Sequence, residues 1–364
     1  MPPLHVAIAV LCKTTGGPAT YGVRLVQALA EREDVRITVL TDDPAPFAAL
    51  QAVACVHLPM RPGLDRLRWQ YRALPRALRA VRPDVYHDTK NALPFRLRVP
   101  AVVTVHDLAY HTVPESFGFW SRTFLRRATA DAVRRADAIV VPSQATANDL
   151  RAVHPRCSER VHVVPHGIDA APAVSAAACA EVRARLGLPE HFVLHVGTVQ
   201  ARKNVDLVVD GVRLLRQRGL PHRAVIVGRA GWLAERAVRS IRQDDTALWL
   251  QHVTAADLPA VYEMAAAFVS PSAYEGFGFA VADALAAGVP TVISDVSSLP
   301  ELCGSAAVRL TALTADAVAV ALAQLFADPE RAAQLRRLGQ ARSRTFAWQT
   351  AAAGHVAAYR RAGG

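Results

Sequence analysis

Short runs of β-branched and other apolar residues alternate with segments of helical periodicity along the first half of this chain. His5–Leu11, Arg36–Leu40 and Ala101–Val105 are such runs, each bounded by proline, glycine or charged residues. Continuous apolar runs of this length are typical of parallel strands that are buried on both faces. Between them, Tyr21–Glu33 and Leu64–Val81 place apolar residues at helical spacing. The alternation predicts an α/β fold built on a doubly wound parallel sheet.

The second half repeats this pattern, and a length of 364 residues also favours two domains at about 150 residues each. The predicted strands are Phe192–Val196, Ala224–Val227, Ala267–Val269 and Thr291–Ile293, and the predicted helices are Asp206–Arg218, Asp257–Ala266 and Phe279–Ala287. An alanine-rich stretch around Pro172 has no strand pattern and is the expected hinge. We therefore expect an N-terminal domain over residues 1–168, a linker over 169–184, a C-terminal domain over 185–345 and an amphipathic helix within 346–364.

The chain is basic, with a net charge of +11, and its only lysines are Lys13, Lys90 and Lys203. Each lysine follows a strand-like apolar run, which is where open α/β sheets bind ligands. Seven arginines fall between Arg61 and Arg82. This segment could form a helix that lies on an anionic membrane, or its apolar residues could pack on the first sheet. Nucleic acid is a disfavoured partner, because no aromatic stripe is interleaved with the basic residues.

Several features bear on the location of the protein. The chain has no run of 18 uncharged apolar residues, and its start lacks the pattern of a secretion signal. Five scattered cysteines without a C-x2-C pair indicate neither a disulfide framework nor a zinc site. We expect a cytoplasmic protein, with peripheral contact at the inner face of the membrane as an open alternative.

Two loops of the expected N-terminal domain carry residues suited to ligands. Gly16 and Gly17 lie between the first strand and the first helix, where backbone N–H groups can approach an anion. The loop matches neither the G-x-G-x-x-G nor the Walker A pattern, which argues against dehydrogenases and P-loop NTPases. It could equally be a plain turn. His106 follows a predicted strand and could point into a cleft, although a structural histidine is the alternative.

Two loops of the expected C-terminal domain are more informative. After a predicted strand, the stretch from Gly197 places Arg202 beside Lys203, a pair suited to neutralising a diphosphate leaving group. The alternative is a solvated basic turn. Further along, Glu275 precedes two glycines and a helix that carries a second acid, Asp283, within an apolar run. An acid there would favour a hydroxyl partner such as a ribose, or it could simply complement the helix dipole.

The motifs also stand in an order that resembles a known family. They are TTGGPATYG, TVHDL, VPSQATANDL, VPHGID, HVGTVQARKN, IVGRAGW, YEGFGFAVADALAAGVP, SSLPE and FAWQTAAAGHVAAYR, and they extend over nearly the whole chain. Together they resemble the retaining glycosyltransferases of family 4. That resemblance implies the GT-B architecture, in which two Rossmann-like domains face each other and a C-terminal helix crosses back to the first domain.

The resemblance also implies roles for individual residues. Arg202 and Lys203 would bind the donor diphosphate, while Glu275 and His106 would lie near the donor sugar. The further donor-binding residues implied are Gly16, Gly17, Gly197, Gly276, Phe277, Gly278 and Asp283. The family pattern E-x7-E normally ends in glutamate. The shorter Asp283 at this position would need a water or a small helix shift to reach the ribose.

By the same resemblance, the enzyme would transfer a hexosyl unit with retention of configuration and without a metal or cofactor. Its VHDL and ARKN motifs resemble those of mannosyltransferases, which implies a mannosyl unit. The sequence has no Asp-x-Asp motif. The donor would be GDP-mannose or a UDP-sugar, and the acceptor a hydroxyl of a glycan or a lipid-linked glycan in polysaccharide or glycolipid biosynthesis. Two alternatives stay open: a sugar-nucleotide epimerase or hydrolase on the same architecture, and a catalytically silent homologue that binds sugar nucleotides.

Overall fold

The computed structural model describes residues 2–12, 16–60, 68–95 and 97–363. It divides into two compact units, the first formed by Met1–Leu108, Phe119–Gly167 and Phe346–Gly364, and the second by Ala109–Gly118 and Ile168–Thr345. The segment expected as a linker, 169–184, thus lies within the second unit. Its last part is the start of a helix, because Ser175 provides an N-terminal cap by accepting a hydrogen bond from the Ala178 N–H at 3.2 Å.

Each unit contains one fully parallel sheet. The strands are β1 (Leu4–Val10), β2 (Val35–Thr41), β3 (Val53–His57), β4 (Val85–Asp88), β5 (Ala101–Thr104), β6 (Ala138–Val141), β7 (Val161–Val163), β8 (Phe192–Val196), β9 (Arg223–Val227), β10 (Ala247–Leu250), β11 (Ala267–Ser270), β12 (Thr291–Ser294) and β13 (Ala307–Leu310). The first sheet has the order β3-β2-β1-β4-β5-β6-β7, and the second has the order β10-β9-β8-β11-β12-β13.

The helices connect successive strands and cover the sheets. They are α1 (Gly17–Ala30), α2 (Leu74–Val81), α3 (Ala109–Thr112), α4 (Phe119–Arg135), α5 (Gln144–Val153), α6 (Ala176–Leu186), α7 (Val205–Gln217), α8 (Glu235–Arg242), α9 (Leu258–Glu263), α10 (Phe279–Ala286), α11 (Leu299–Cys303), α12 (Ala315–Ala327), α13 (Pro329–Ser343) and α14 (Trp348–Gly363). After α13 the chain returns to the first unit, where α14 packs against α1, β5 and β6. The prediction of a doubly wound α/β fold with two Rossmann-like domains and a returning C-terminal helix is confirmed.

The arginine-rich segment differs from the single helix predicted over Leu64–Val81. Residues 61–67 lie outside the described part of the chain. A π-helical turn, Trp69–Ala73, then leads into α2, which carries Pro75 in its first turn, where proline is tolerated. Trp69, Leu74 and Leu78 are buried in the core of the first sheet. These three apolar side chains pack inward against the first sheet.

Candidate functional site

The Arg202 and Glu275 loops begin at two neighbouring strands of the second sheet. β8 and β11 are paired, and the strand order reverses between them. Open parallel sheets bind ligands at this kind of reversal, outside the carboxyl ends of the strands. β8 leads into Gly197 and the turn Ala201–Lys203, and β11 leads into the loop that contains Glu275. The topology thus explains why Arg202 and Glu275, which are 73 positions apart in the chain, meet at one edge of the sheet.

A close approach of two backbones shapes the first loop. A Cβ atom on Gly228, which follows β9, would lie 2.0 Å from the carbonyl oxygen of Gly197. Only glycine allows the chains after β8 and β9 to come this near. The short helical turn Ala201–Lys203 ends at Asn204, whose backbone is left-handed (φ 48°). The Asn204 side-chain amide donates to the Pro271 carbonyl at 2.9 Å. This bond joins the two loops of the site.

Arg202, Lys203 and Glu275 are in direct contact. The Arg202 guanidinium lies 3.2 Å from Glu275 Oε2 and donates to the Tyr274 carbonyl at 2.7 Å. The Lys203 ammonium is paired with Glu275 Oε1. Burial alone would raise the pKa of Glu275, but the charges of Lys203 and Arg202 and two side-chain hydrogen bonds lower the pKa to about 2. Glu275 is therefore a carboxylate at neutral pH, and the three groups carry a net charge of about +1.

Three serines that the sequence analysis did not single out hold Glu275 in place. Ser272 donates to Glu275 Oε1 at 2.8 Å, and Ser297 Oγ accepts from the Glu275 N–H at 2.9 Å. Ser298 donates to the carbonyl oxygens of Glu275 and Phe277 at 2.9 and 3.1 Å. These bonds fix both the side chain and the backbone of the loop. The SSLPE motif was the only sequence signal that pointed to Ser297 and Ser298.

The rest of the Glu275 loop turns into helix α10. Gly276 and Phe277 are buried. Gly278 has a φ of 101°, a backbone conformation that disfavours residues with a side chain, and it directly precedes α10. Asp283 is exposed, whereas its neighbours Ala282 and Ala284 are buried. The argument that an acid in this apolar run costs free energy unless it meets a partner therefore does not apply, because the Asp283 side chain is exposed.

His106 follows β5 in the first unit, and both of its ring nitrogens are engaged. Because a carbonyl oxygen only accepts, His106 Nε2 carries the proton and donates to the Thr89 carbonyl at 2.8 Å. Its Nδ1 then accepts from His166 Nε2 at 3.3 Å. Burial lowers the pKa of His106 to about 4 despite the opposing effects of Thr89 and Asp107. His106 is neutral at physiological pH. His166, which the sequence analysis missed, fixes its orientation.

The other proposed contacts of the first unit lie at the start of α1. Gly16 precedes this helix and is exposed, and Gly17 is its first residue. Lys13 lies outside the described residues. Lys90 follows β4, as the sequence predicted for the lysines. Gly16, Gly17 and His106 thus share the carboxyl edge of the first sheet, where its strand order reverses between β1 and β4. Among the described residues, no group of three or more His, Cys, Asp or Glu side chains could hold a metal ion.

Family models account for most of the chain. The model for Glycosyltransferase Family 4 matches residues 15–172, and the model for Glycosyl transferases group 1 matches residues 181–342. The chain is a family 4-like glycosyltransferase of the GT-B type. Its two matched regions fall on the two sheets in turn.

Individual proteins similar to this glycosyltransferase agree with that assignment. It is 28% identical to O-antigen chain mannosyltransferase B of Escherichia coli over 78% of this chain and 76% of that protein. It is 31% identical to the GDP-mannose-dependent alpha-(1-6)-phosphatidylinositol dimannoside mannosyltransferase of Mycobacterium tuberculosis, over 53% of this chain and 50% of that protein. The solved structure of Anabaena HepE with UDP and glucose matches its fold with a TM-score of 0.78, at 20% identity and over 97% and 98% of the two chains.

Proposed function

We propose that this glycosyltransferase moves a mannosyl unit from a nucleotide diphosphate sugar to a hydroxyl acceptor, with retention of anomeric configuration and without a metal ion. The observation that carries the proposal is the cluster of Arg202, Lys203 and Glu275 at the strand-order reversal of the second sheet. Two cations against one carboxylate leave a positive charge where a diphosphate would bind. Gly197, Gly276, Phe277 and Gly278 shape the two loops around it.

The ionisation of Glu275 supports a mechanism in which no protein carboxyl group transfers the proton. A carboxyl group with a pKa of about 2 is a poor proton donor at neutral pH and a weak base. The departing phosphate would instead take the proton of the acceptor hydroxyl on the face where the bond to the sugar breaks. Arg202 and Lys203 would stabilise the negative charge that develops on this phosphate. Glu275 would hold both cations in place and face the donor sugar.

The donor is proposed from the relatives. Two of them are named mannosyltransferases, and one of these is named as dependent on GDP-mannose. The HepE structure contains UDP and glucose, so a UDP-sugar is the second candidate donor. Asp283 would reach the ribose from the exposed side of α10, and Gly16, Gly17 and His106 would contribute from the first unit. The proposed acceptor is a glycan or a lipid-linked glycan in polysaccharide or glycolipid biosynthesis at the cytoplasmic side of the membrane.

The test begins with the melting temperature of the protein in the presence of UDP, GDP, dTDP and ADP sugars, since a ligand that binds only the native state raises Tm. We expect GDP-mannose to raise Tm most. Transfer is then measured with this donor and an oligosaccharide acceptor in chelator, and NMR of the product reports the configuration of the new bond. Retention in chelator supports the proposal. An inverted product, loss of transfer in chelator, or donor turnover that needs no acceptor would contradict it.

A further inference from the structure

Helix α4 presents its largest apolar side chains outward. The exposed fractions of Phe119, Trp120 and Phe124 are 61%, 81% and 52%. Trp120 and Phe124 are four positions apart, so they lie on one face of the helix. The buried residues of the helix are the smaller Thr129, Ala132 and Val133. A helix on the surface of a globular protein typically has the opposite arrangement, with its apolar side chains facing the core.

The charged residues of α4 are mostly basic. α4 contains five arginines (Arg122, Arg126, Arg127, Arg134 and Arg135) and a single acid, Asp131. Arg134 and Arg135 bind Asp131 at 2.8 and 2.7 Å and neutralise it. The Arg122 guanidinium lies over the Phe119 ring, 5.9 Å from its centre. The exposed apolar residues thus lie on a helix with a positive net charge.

A fourth exposed aromatic residue extends this surface at the other end of the helix. Phe95 is 57% exposed, and the Arg135 guanidinium lies 6.0 Å from the centre of its ring. From Phe119 to Arg135 the helix rises by about 24 Å. Aromatic rings accompanied by arginines therefore occur at both ends of one elongated surface, which we call the α4 surface: Phe95, Phe119, Trp120, Phe124 and the arginines of α4.

We propose that the α4 surface docks on an anionic phospholipid bilayer. Exposed Trp and Phe side chains insert at the level of the lipid headgroups, and helices that lie on membranes combine them with basic residues. Arginine guanidinium groups bind phosphate through two hydrogen bonds, and the negative potential of an anionic leaflet attracts them. A second copy of the chain is a poorer occupant, because each surface carries five arginines against one acid and two such surfaces would repel each other. This docking does not depend on the proposed transferase activity.

Co-sedimentation of the full-length protein with vesicles tests the proposal. We expect binding to phosphatidylcholine vesicles with about one third phosphatidylglycerol, weakening at high salt, and little binding to pure phosphatidylcholine. The variant F119S/W120S/F124S should lose at least about tenfold in vesicle affinity, and R122S/R127S should lose much of its salt-sensitive binding. Two matched controls, L313S/V320S and R331S/R337S, remove exposed apolar or basic side chains from the second unit and should bind like the wild type.

The outcomes separate the possible occupants. Wild-type binding that the aromatic variant loses and both controls keep supports the proposal, provided circular dichroism shows that the variant is folded. Equal vesicle binding by the aromatic variant would overturn it, and so would no binding by the wild type. Analytical ultracentrifugation without lipid tests whether a second copy of the chain binds this surface instead. A dimer that dissociates in the aromatic variant would assign the α4 surface to a second copy of the chain.

Discussion

Glu275 shows how a buried acid can remain charged between two cations. Glu275 is only 6% exposed, and two cations and a serine hydroxyl contact its carboxylate. Removing one partner of such a buried cluster leaves an uncompensated charge, which is more destabilising than the pair is stabilising. The same contacts hold the Arg202 and Lys203 side chains, so a diphosphate would meet cations that are already oriented. Glu275 therefore has a structural and a functional role in the proposed reaction.

We expect Lys203→Ala and Arg202→Ala each to lower kcat by about 100-fold or more, because each removes a contact to the charge that develops on the leaving phosphate. The measurement is steady-state transfer from the donor that the thermal screen selects. Arg213→Ala is the matched control, since Arg213 forms ion pairs with Asp210 and Asp244 elsewhere in the second unit. This control should lower Tm and leave kcat within a fewfold. If kcat is near normal in Lys203→Ala, Lys203 does not bind the leaving group.

At the residue scale, the sequence singled out the three charged residues of the site but not the serines that hold Glu275 in place. Arg202, Lys203 and Glu275 follow predicted strands, and strand ends in a parallel sheet meet at one edge. Ser272, Ser297 and Ser298 could not be found in this way, because single serines in loops carry no periodic signal and their partners are set by tertiary contacts. Asp283 was misjudged for a related reason. An apolar stretch around an acid does not reveal that the acid lies on the one exposed side of a short helix.

At the level of elements, the central strands were predictable and several others were not. β1, β2, β5, β8, β9, β11 and β12 were all predicted within two residues at each end. β4 was indicated only as the apolar run before Lys90 and was given no bounds, because it contains His87 and Asp88, which are polar but buried. β3 was missed because most of its side chains are exposed at the edge of the sheet. Helix α4 was also missed, since its large apolar residues face outward and give no pattern of an inward-facing helix.

Gly228→Ala should destabilise the second unit by at least about 2 kcal/mol, since a Cβ atom 2.0 Å from the Gly197 carbonyl oxygen forces the backbone to move. The displaced loop carries Arg202 and Lys203, so donor affinity should fall as well. Urea unfolding measures the first effect and the KM for the donor measures the second. Gly118→Ala is the control, because no atom lies within 4 Å of the Cβ position there. Unchanged stability in Gly228→Ala would show that this close approach is not required.

For the molecule as a whole, a buried polar network joins the C-terminal helix α14 to the rest of the first unit. His355 on α14 donates from Nδ1 to the Ala351 carbonyl at 2.7 Å, so its Nε2 accepts from the Tyr21 hydroxyl at 2.6 Å. Thr104 Oγ1 lies 2.8 Å from both the Tyr21 hydroxyl and His87 Nε2. His87 Nδ1 in turn lies 2.8 Å from the hydroxyl of Tyr359, also on α14. With both histidines neutral, the ring nitrogens and the hydroxyls can alternate as donor and acceptor along this network.

This network predicts that the first unit loses stability in acid. Burial lowers the pKa of His106 and His355 to about 4 and the pKa of His87 and His166 well below 6.5. As the pH falls from 6.5 toward 4, the unfolded chain binds protons at these sites and the folded chain does not. The free energy of unfolding should then fall by about 1.4 kcal/mol per pH unit for each histidine, and these sites should contribute no slope above about pH 7.5.

The number of protons that the protein takes up on unfolding tests this prediction directly. Urea unfolding between pH 4.5 and 8, followed by circular dichroism, yields the slope of stability against pH, and we expect it to correspond to several protons below pH 6. In His355→Gln this slope should be smaller by about one proton, while His252→Gln, at an exposed site, should leave it unchanged. A slope near zero in the wild type, or an equal slope in His355→Gln, would mean that these histidines already bind protons in the folded state. The return of α14 would then rest on its apolar contacts, to which Ala352 and Val356 contribute buried side chains.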